Sequence, residues 1–451
     1  MFDVNFATGA ADRLLITGAA TLAGGVRIIP GNLLPNRRLD LITLGGPVIQ
    51  QGLEAERSSL FSYLLIQTGN VLSVQAVSTG FAPSGQGLSA AQTATAGALQ
   101  SVWDAGGNTL FGRIFAGLAA AADAGGTAYP RALNQLSPGV GIVLGARQTG
   151  EAHAFTNALL SCPDFAGTTA HVVETECSWI RMIGRRTVND ARSGVGASTL
   201  NTMTWQIGGQ HAIAPDLFLA GSLAFQTGWI GGADRVVTGS GQSGFAGLAV
   251  KWQPGPWLIA GSVMGSYGSY NMSRIITLPG LGGVAKSTPD QSSIAARLRV
   301  AYNVWDDVWY VRPMVSLDVV HARVPGYQET GPSGVSLSYD TASQTGLIAT
   351  PAIEVGRRYD LSEGWTLRAY ASLGVSVFSN RDWRVRTAFL GAPAGSGSFV
   401  TTLPNDQVLG RVTMGVHVLS AGSFDLRAQY DGDAGGSMRS HAGTLTAALR
   451  F

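Results

Sequence analysis

The sequence predicts an all-β membrane barrel: a 12-stranded antiparallel outer-membrane β-barrel with an internal α-helical linker, preceded by a short β-solenoid-like segment. Three observations predict it. From about residue 177 onward, apolar residues recur at every second position, the period of a strand with one greasy face. Short and long connections alternate through that region, as in barrels with tight periplasmic turns and long external loops. Aromatic residues flank the short turns (Trp252 with Trp257, Trp305 with Trp309, Tyr359 with Trp365, then Phe424), where an interfacial girdle belongs. A soluble β-sandwich would share the first feature but not the other two.

Composition narrows the field. Of 451 residues, 61 are glycine and only 13% are charged, against usual values of ~7% and ~25%. No run reaches the ~18 apolar residues of a spanning helix; the nearest lies at 114–122. That leaves a secreted β-solenoid or a membrane barrel. The net charge of +2 gives no bulk attraction to nucleic acid. Residues 1–6 lack the basic and apolar stretches of a signal peptide. For an exported protein, the chain is therefore expected to be a fragment or to have a misassigned start.

The elements follow in order. Residues 1–82 carry five short β-type runs, at 13–17, 25–29, 39–43, 63–66 and 71–74, between Gly, Asn and Pro turns. Such spacing suits solenoid rungs or a small sandwich. Residues 83–165 read as a helical linker. Ser89 caps its first helix, Gly106 and Gly107 end it, and further helices lie at 110–122, 129–136 and 139–161, the last stopped by Pro163. Gly141 and Gly145 each cost that last helix ~1 kcal/mol, yet they suit a helix squeezed against surrounding walls.

Residues 166–451 hold the barrel. The clearest strands are 294–304, 309–319, 365–377 and 424–430, with eight weaker windows near 178–185, 202–213, 217–226, 245–253, 257–268, 347–358, 407–418 and 444–451. Short turns fall at 214–216, 253–256, 306–307, 360–364 and 420–422, and long loops near 186–201, 228–243, 270–291, 321–344, 379–405 and 431–442. Both barrel termini then lie on the short-turn side.

By parity, one strand face gathers Arg181, Arg185, Lys251, Arg297, Arg299, Arg312, Arg358, Arg368, Arg411, Arg427 and Arg450, with Asp318, Glu354, Asp425 and Asp431. Arg or Lys on the lipid face costs ~2–4 kcal/mol at the midplane, so this face lines the lumen. It is either a cationic wall that grips a helix or transiting chain, or ordinary polar lining. The segment 139–161 offers only Arg147, Glu151 and His153 against it, so water and neighbouring carboxylates must balance the rest. Twelve strands lie between filled eight-stranded barrels and open 16–18-stranded ones. One helix, ~10–12 Å across, about fills such a lumen.

Cys162 and Cys177 flank residues 163–176. In an oxidising compartment they form a disulfide around a ~15-residue loop, or remain two thiols. His153, His171, His211, His321, His417 and His441 are scattered, and no nucleophile-elbow or phosphate-loop motif occurs. No catalytic residue, cofactor or metal is expected.

The order of the parts resembles a known family. The run at 12–25 looks like the final rungs of a β-helical passenger. Residues 129–138 and 150–160, with Tyr129, Pro130, Glu151, Phe155 and Asn157 among them, are similar to linker helices that precede an export barrel. The last window, with Leu445, Ala447, Leu449 and the terminal Phe451, looks like an outer-membrane assembly signal. Together these resemble the carboxy-terminal part of a type V autotransporter. The resemblance implies a Gram-negative outer-membrane translocator that exports its own N-terminal passenger to the cell surface. It also implies outer-membrane lipid, barrel-assembly machinery and periplasmic chaperones as partners. Some such barrels cut their linker at an Asn in the pore, for which Asn157 is the candidate, although a plain helix-surface role is the expectation here. The alternatives are a passive diffusion pore, or a surface adhesin whose binding part is residues 1–82.

Overall fold

Lipid offers backbone N–H and C=O groups no water, so a sheet can cross it only if every strand is paired on both edges. The computed structural model describes all residues except 160–161, 280, 333, 362–363 and 421–422. Among the described residues it meets that demand with a closed cylinder of twelve antiparallel strands. These are β1 (Cys177–Asn189), β2 (Ser198–Ala214), β3 (Leu217–Gly232), β4 (Val237–Trp252), β5 (Trp257–Leu278) and β6 (Asp290–Tyr302). They continue as β7 (Trp309–Val324), β8 (Ala342–Asp360), β9 (Thr366–Phe378), β10 (Val408–Leu419), β11 (Phe424–Ala434) and β12 (Met438–Arg450). Each pairs with its neighbours in sequence, and β1 pairs with β12 from Cys177 opposite Arg450 to Asn189 opposite Met438.

Alternation assigns the two faces. Leu373 is 68% exposed and Ile294 64%, whereas Arg297 is 3% exposed beside Leu298 at 49%. The apolar stripe therefore faces outward and the arginines inward, the sidedness of a membrane barrel.

The connections differ from expectation. The loops anticipated at 186–201, 228–243 and 431–442 are half or more strand, which leaves 190–197, 233–236 and 435–437 between the strands. A crossing needs ~9–11 residues, while β3 and β4 have 16 each and β5 has 22. The surplus continues as hairpins above the membrane. Without lipid there, the outward face becomes rich in Gly, Ser and Thr and the hydropathy alternation fades, although the pairing persists. Two other anticipated loops, 321–344 and 379–405, supply Tyr327–Gln328, Leu337–Tyr339, Asp382–Phe389 and Phe399–Pro404, which form a four-stranded sheet over that mouth. The loop anticipated at 270–291 carries Leu281–Ser287, folded back on β5. Of the short turns, 362–363 and 421–422 lie outside the described residues.

At the amino end, Phe2–Asn5 pairs with Ile28–Asn32, Leu14–Ile16 with the end of Arg38–Leu44, and Ala20–Val26 with Val48–Ala55, all in parallel. Parallel pairing of successive coils is a solenoid arrangement, not that of a sandwich. The hairpin of Phe61–Thr68 and Val71–Ser78 pairs antiparallel with Arg38–Leu44 and ends the coil.

Four helices follow among the described residues: α1 (Ala90–Asp104), α2 (Thr109–Asp123), α3 (Ala128–Leu136) and α4 (Val143–Leu159), the last led in by a 3₁₀ turn, Gly139–Ile142. Ser89 and Gln92 form a reciprocal capping box on α1, and Asn108 caps α2. Gly106, at φ +97°, reverses the chain after α1. The anticipated end of the fourth helix, 160–161, lies outside the described residues. The first three helices, the coil and the outer loops share one apolar core, in which Phe61, Phe81, Trp103, Phe111 and Phe115 make ring contacts and Phe111 reaches Phe389. A Cβ on Gly112 would stand 1.9 Å from Asn32 Oδ1, so glycine is what lets α2 seat against the coil.

The anticipated linker–barrel boundary at 165/166 falls within a two-stranded hairpin, in which Pro163–Phe165 pairs with Val172–Glu174.

Replacing outward Leu298 with arginine is expected to cost about 2–4 kcal/mol in reversible unfolding from lipid vesicles. Leu298→Val should cost under about 1.5 kcal/mol.

Candidate functional site: a plugged and charged lumen

Helix α4 has 17 residues, about 26 Å at ~1.5 Å per residue, matching the ~25 Å apolar band of an outer-membrane barrel. It lies inside the cylinder. One side is dry: Ala152 and Phe155 pack on Ala224, Phe245, Met264, Ala295, Val320 and Ile348, with Phe155 stacked on Phe245 at 5.5 Å. Leu159 fills the space beside Ala220 and Ala249. Missing side chains make the fit. A Cβ on wall residue Gly247 would approach Phe155 to 2.8 Å, and one on Gly145 of α4 would approach the Trp383 indole to 2.4 Å.

The other side is polar. Asp318, 1% exposed, accepts from Arg297 Nε at 2.7 Å and Thr156 Oγ1 at 3.4 Å, and stands 3.2 Å from His153 Nδ1. Arg297 also donates to the His153 carbonyl at 3.1 Å, and Arg411 meets His153 Nε2. Asn157 Oδ1 accepts from Arg297 at 3.3 Å and from Arg299. Arg181 donates to the Ala158 carbonyl at 2.7 Å. The wall thus holds α4 at His153, Thr156, Asn157 and Ala158.

A second network joins wall to wall. Glu354 pairs with Arg368 at 2.6 Å and Arg312 at 3.1 Å and accepts from Tyr310 Oη at 2.8 Å. Arg368 lies 4.6 Å over the Tyr370 ring. Asp433 pairs with Arg411 at 2.8 Å and Arg185 at 3.5 Å.

The hairpin at 163–174 then covers the short-turn mouth. Its Glu174 takes Lys251 at 2.6 Å, and Asp164 takes Arg450, which also pairs with Asp425 at 2.7 Å. Gln253 and Asn303 both donate to the Val172 carbonyl, at 2.9 and 2.8 Å. Arg358 donates to the Thr169 carbonyl at 3.0 Å and pairs with Asp360 at 2.8 Å. His171 stacks on Trp305 at 3.7 Å, and burial there pulls its imidazole pKa below the ordinary value. Cys162 and Cys177 are joined as a disulfide, Cα atoms 6.1 Å apart, which fastens the end of the linker to the first residue of β1.

Of the residues that parity assigns to the lumen, Arg181, Lys251, Arg297, Asp318, Glu354, Arg368 and Asp425 are buried, and Arg185, Arg299, Arg312, Arg358, Arg411, Arg427, Asp431 and Arg450 are half-buried. Sequence reasoning missed Asp433, Glu174 and Asp164. Asp433 shares the parity of Asp431 but lies further into the loop anticipated at 431–442, and Glu174 and Asp164 lie where no periodicity exists. Leu445, Leu449 and Phe451 point outward and are exposed, with Ala447 half-buried between them. Among the described residues, no group of three or more His, Cys, Asp or Glu stands close enough to hold a metal.

Removing the Asp318 carboxylate leaves Arg297 without its buried partner. Asp318→Ala is expected to cost about 3–5 kcal/mol by denaturant titration, and to add frequent openings to single-channel recordings as α4 loosens. Reducing the disulfide, with a loop separation of 15 residues, should cost about 3 kcal/mol. Intact mass without reductant should be lighter by two hydrogens than with it.

Residues 178–431 match the family model described as the autotransporter beta-domain. Among solved structures, the chain is similar to the translocator domain of the autotransporter NalP from Neisseria meningitidis, with 12% identity and a TM-score of 0.52, covering 68% of this chain and 96% of that one. The beta domain of the Bordetella autotransporter BrkA matches at 16% identity and a TM-score of 0.45, covering 62% of this chain and all 100% of that one. A search of curated protein sequences gives no significant match. The NalP likeness concerns the fold, whereas the family match spans more than half of the chain. The chain belongs to the autotransporter β-domain family, whose members are outer-membrane translocators of Gram-negative bacteria.

Proposed function

We propose that the chain carries its own N-terminal segment across the outer membrane and presents residues 1–82, the remnant of a solenoid passenger, at the cell surface. The observation that supports this reading is the path of α4. Its carboxy end meets the mouth where β1 begins and β12 ends, and its amino end leaves by the mouth under the long loops. A chain threaded this way has everything before Val143 on the far side from the barrel termini. One helix already fills the lumen, so a folded coil cannot have followed the same route. The coil crosses unfolded and folds outside, and that folding biases transfer outward.

On this reading the luminal arginines are a hydrated wall that holds the linker by its side chains and carbonyls. No bond is broken there, and Asn157 is an anchor for Arg297 and Arg299. Contact with the barrel-assembly machinery and periplasmic chaperones falls to Leu445, Ala447, Leu449 and Phe451, on the strand that must find β1 to close the cylinder.

Protease treatment of intact cells tests the topology. Cleavage within residues 1–82 with the barrel left whole is expected; a head protected until the cells are lysed would refute the reading. In planar bilayers, a chain lacking 143–159 should conduct steadily where the intact chain does not.

A further inference from the structure

We infer that the lumen binds a small tetrahedral oxyanion, of the inorganic phosphate class, in the chamber between α4 and the hairpin at 163–174. A cavity of about 200 Å³ lies there, bounded by Asn157 and Ala158 of the helix and by Pro163 and Glu174 of the hairpin. Among its described lining residues are seven arginines and four carboxylates, Glu151, Glu174, Glu354 and Asp431. The partners nearest at hand do not remove that excess. Glu354 is shared by Arg312 and Arg368, and Asp433 by Arg185 and Arg411. Each of these two clusters keeps one net positive charge. Glu174 is already engaged by Lys251, which is fully buried.

Arg299 adds a further charge. It donates to Ser316 Oγ at 2.9 Å and to Asn157 Oδ1, both neutral acceptors. Arg312 brings an independent sign of an absent acceptor: its Nε is buried without a hydrogen-bond partner. Guanidinium groups do not deprotonate in proteins, so the chamber cannot shed its charge by titration. Water can solvate the arginines but cannot neutralise them. A phosphate-sized oxyanion can do both, because its oxygens match the planar N–H forks of several guanidiniums at once.

The site is distinct from the export reading and does not rest on it. Its occupant ties the arginine that touches Asn157 on α4 to the cluster around Glu354 on the wall. The anion therefore reinforces the plugged state.

The test uses the full chain, folded in detergent, titrated with inorganic phosphate at constant ionic strength and followed by calorimetry and ³¹P line broadening. A saturable, single-site isotherm is expected. Arg299→Gln should weaken it about tenfold, and Asp431→Asn, which deletes a negative charge from the lining, should tighten it by a similar factor. Heat-modifiable migration on gels confirms that each variant is a closed barrel. Asp431→Asn keeps side-chain size, so it carries the test should Arg299→Gln fail to fold. Non-saturable binding, or an affinity that neither variant moves, means an adventitious ion only and overturns the proposal.

Discussion

The register between β1 and β12 governs everything else in the molecule. Pairing from Cys177 opposite Arg450 to Asn189 opposite Met438 removes the last free strand edge, and lipid tolerates no such edge. Closure creates an inside. Because successive side chains alternate, the strand that offers Leu298 to acyl chains must turn Arg297 and Arg299 the other way. A cylinder of this size encloses more space than wall side chains fill, and that space is lined with charge. α4 and the hairpin at 163–174 are the electrostatic completion of the barrel as much as its stopper. They bring His153 to Arg411, Asn157 to Arg297, Asp164 to Arg450 and Glu174 to Lys251.

The helix is held in two different ways. Phe155 and Leu159 bury apolar surface, worth about 1.5–3 kcal/mol for each large side chain, and do so only because Gly247 and small alanines leave room. The polar contacts work differently. Burying Asp318 and Arg297 costs desolvation that their attraction offsets only while every partner is in place. The dry side supplies most of the affinity, and the charged side fixes depth and rotation. Above the membrane a third contact is of the same kind. Arg274 on the extended part of β5 pairs with buried Glu329 of the outer loop and donates to the Val335 carbonyl at 2.9 Å, while Glu329 also accepts from Tyr339 at 3.1 Å.

What could be read beforehand is explained by where lipid imposes its rule. Inside the membrane, alternation is obligatory, so parity alone placed Arg181, Lys251, Arg297, Glu354, Arg368 and Asp425 on the lumen. Ser89 and the Gly106-Gly107 pair carried local signals that needed no tertiary context. Outside the membrane the rule lapses. The hairpin extensions of β3, β4 and β11 looked like loops because Gly, Ser and Thr replace the outward apolar residues, and with them Asp433 was lost as a luminal group. The hairpin at 163–174 has no pattern at all: Glu174 and Asp164 are defined by what the barrel mouth presents to them, which no local stretch encodes. The coil at the amino end was legible as short β-runs, but its parallel pairing depends on residues far apart, such as Ala20 and Val48.

The bond between Cys162 and Cys177 has a topological effect. It spans the hairpin that covers the mouth, so the polypeptide there is a closed ring hung between the threaded segment and the wall. A single scission anywhere in that ring severs the main chain without parting the two portions of the molecule. Detachment of the head from the cylinder by such a nick would require a thiol as well as a protease, whereas a nick above the ring, before Cys162, requires only the protease.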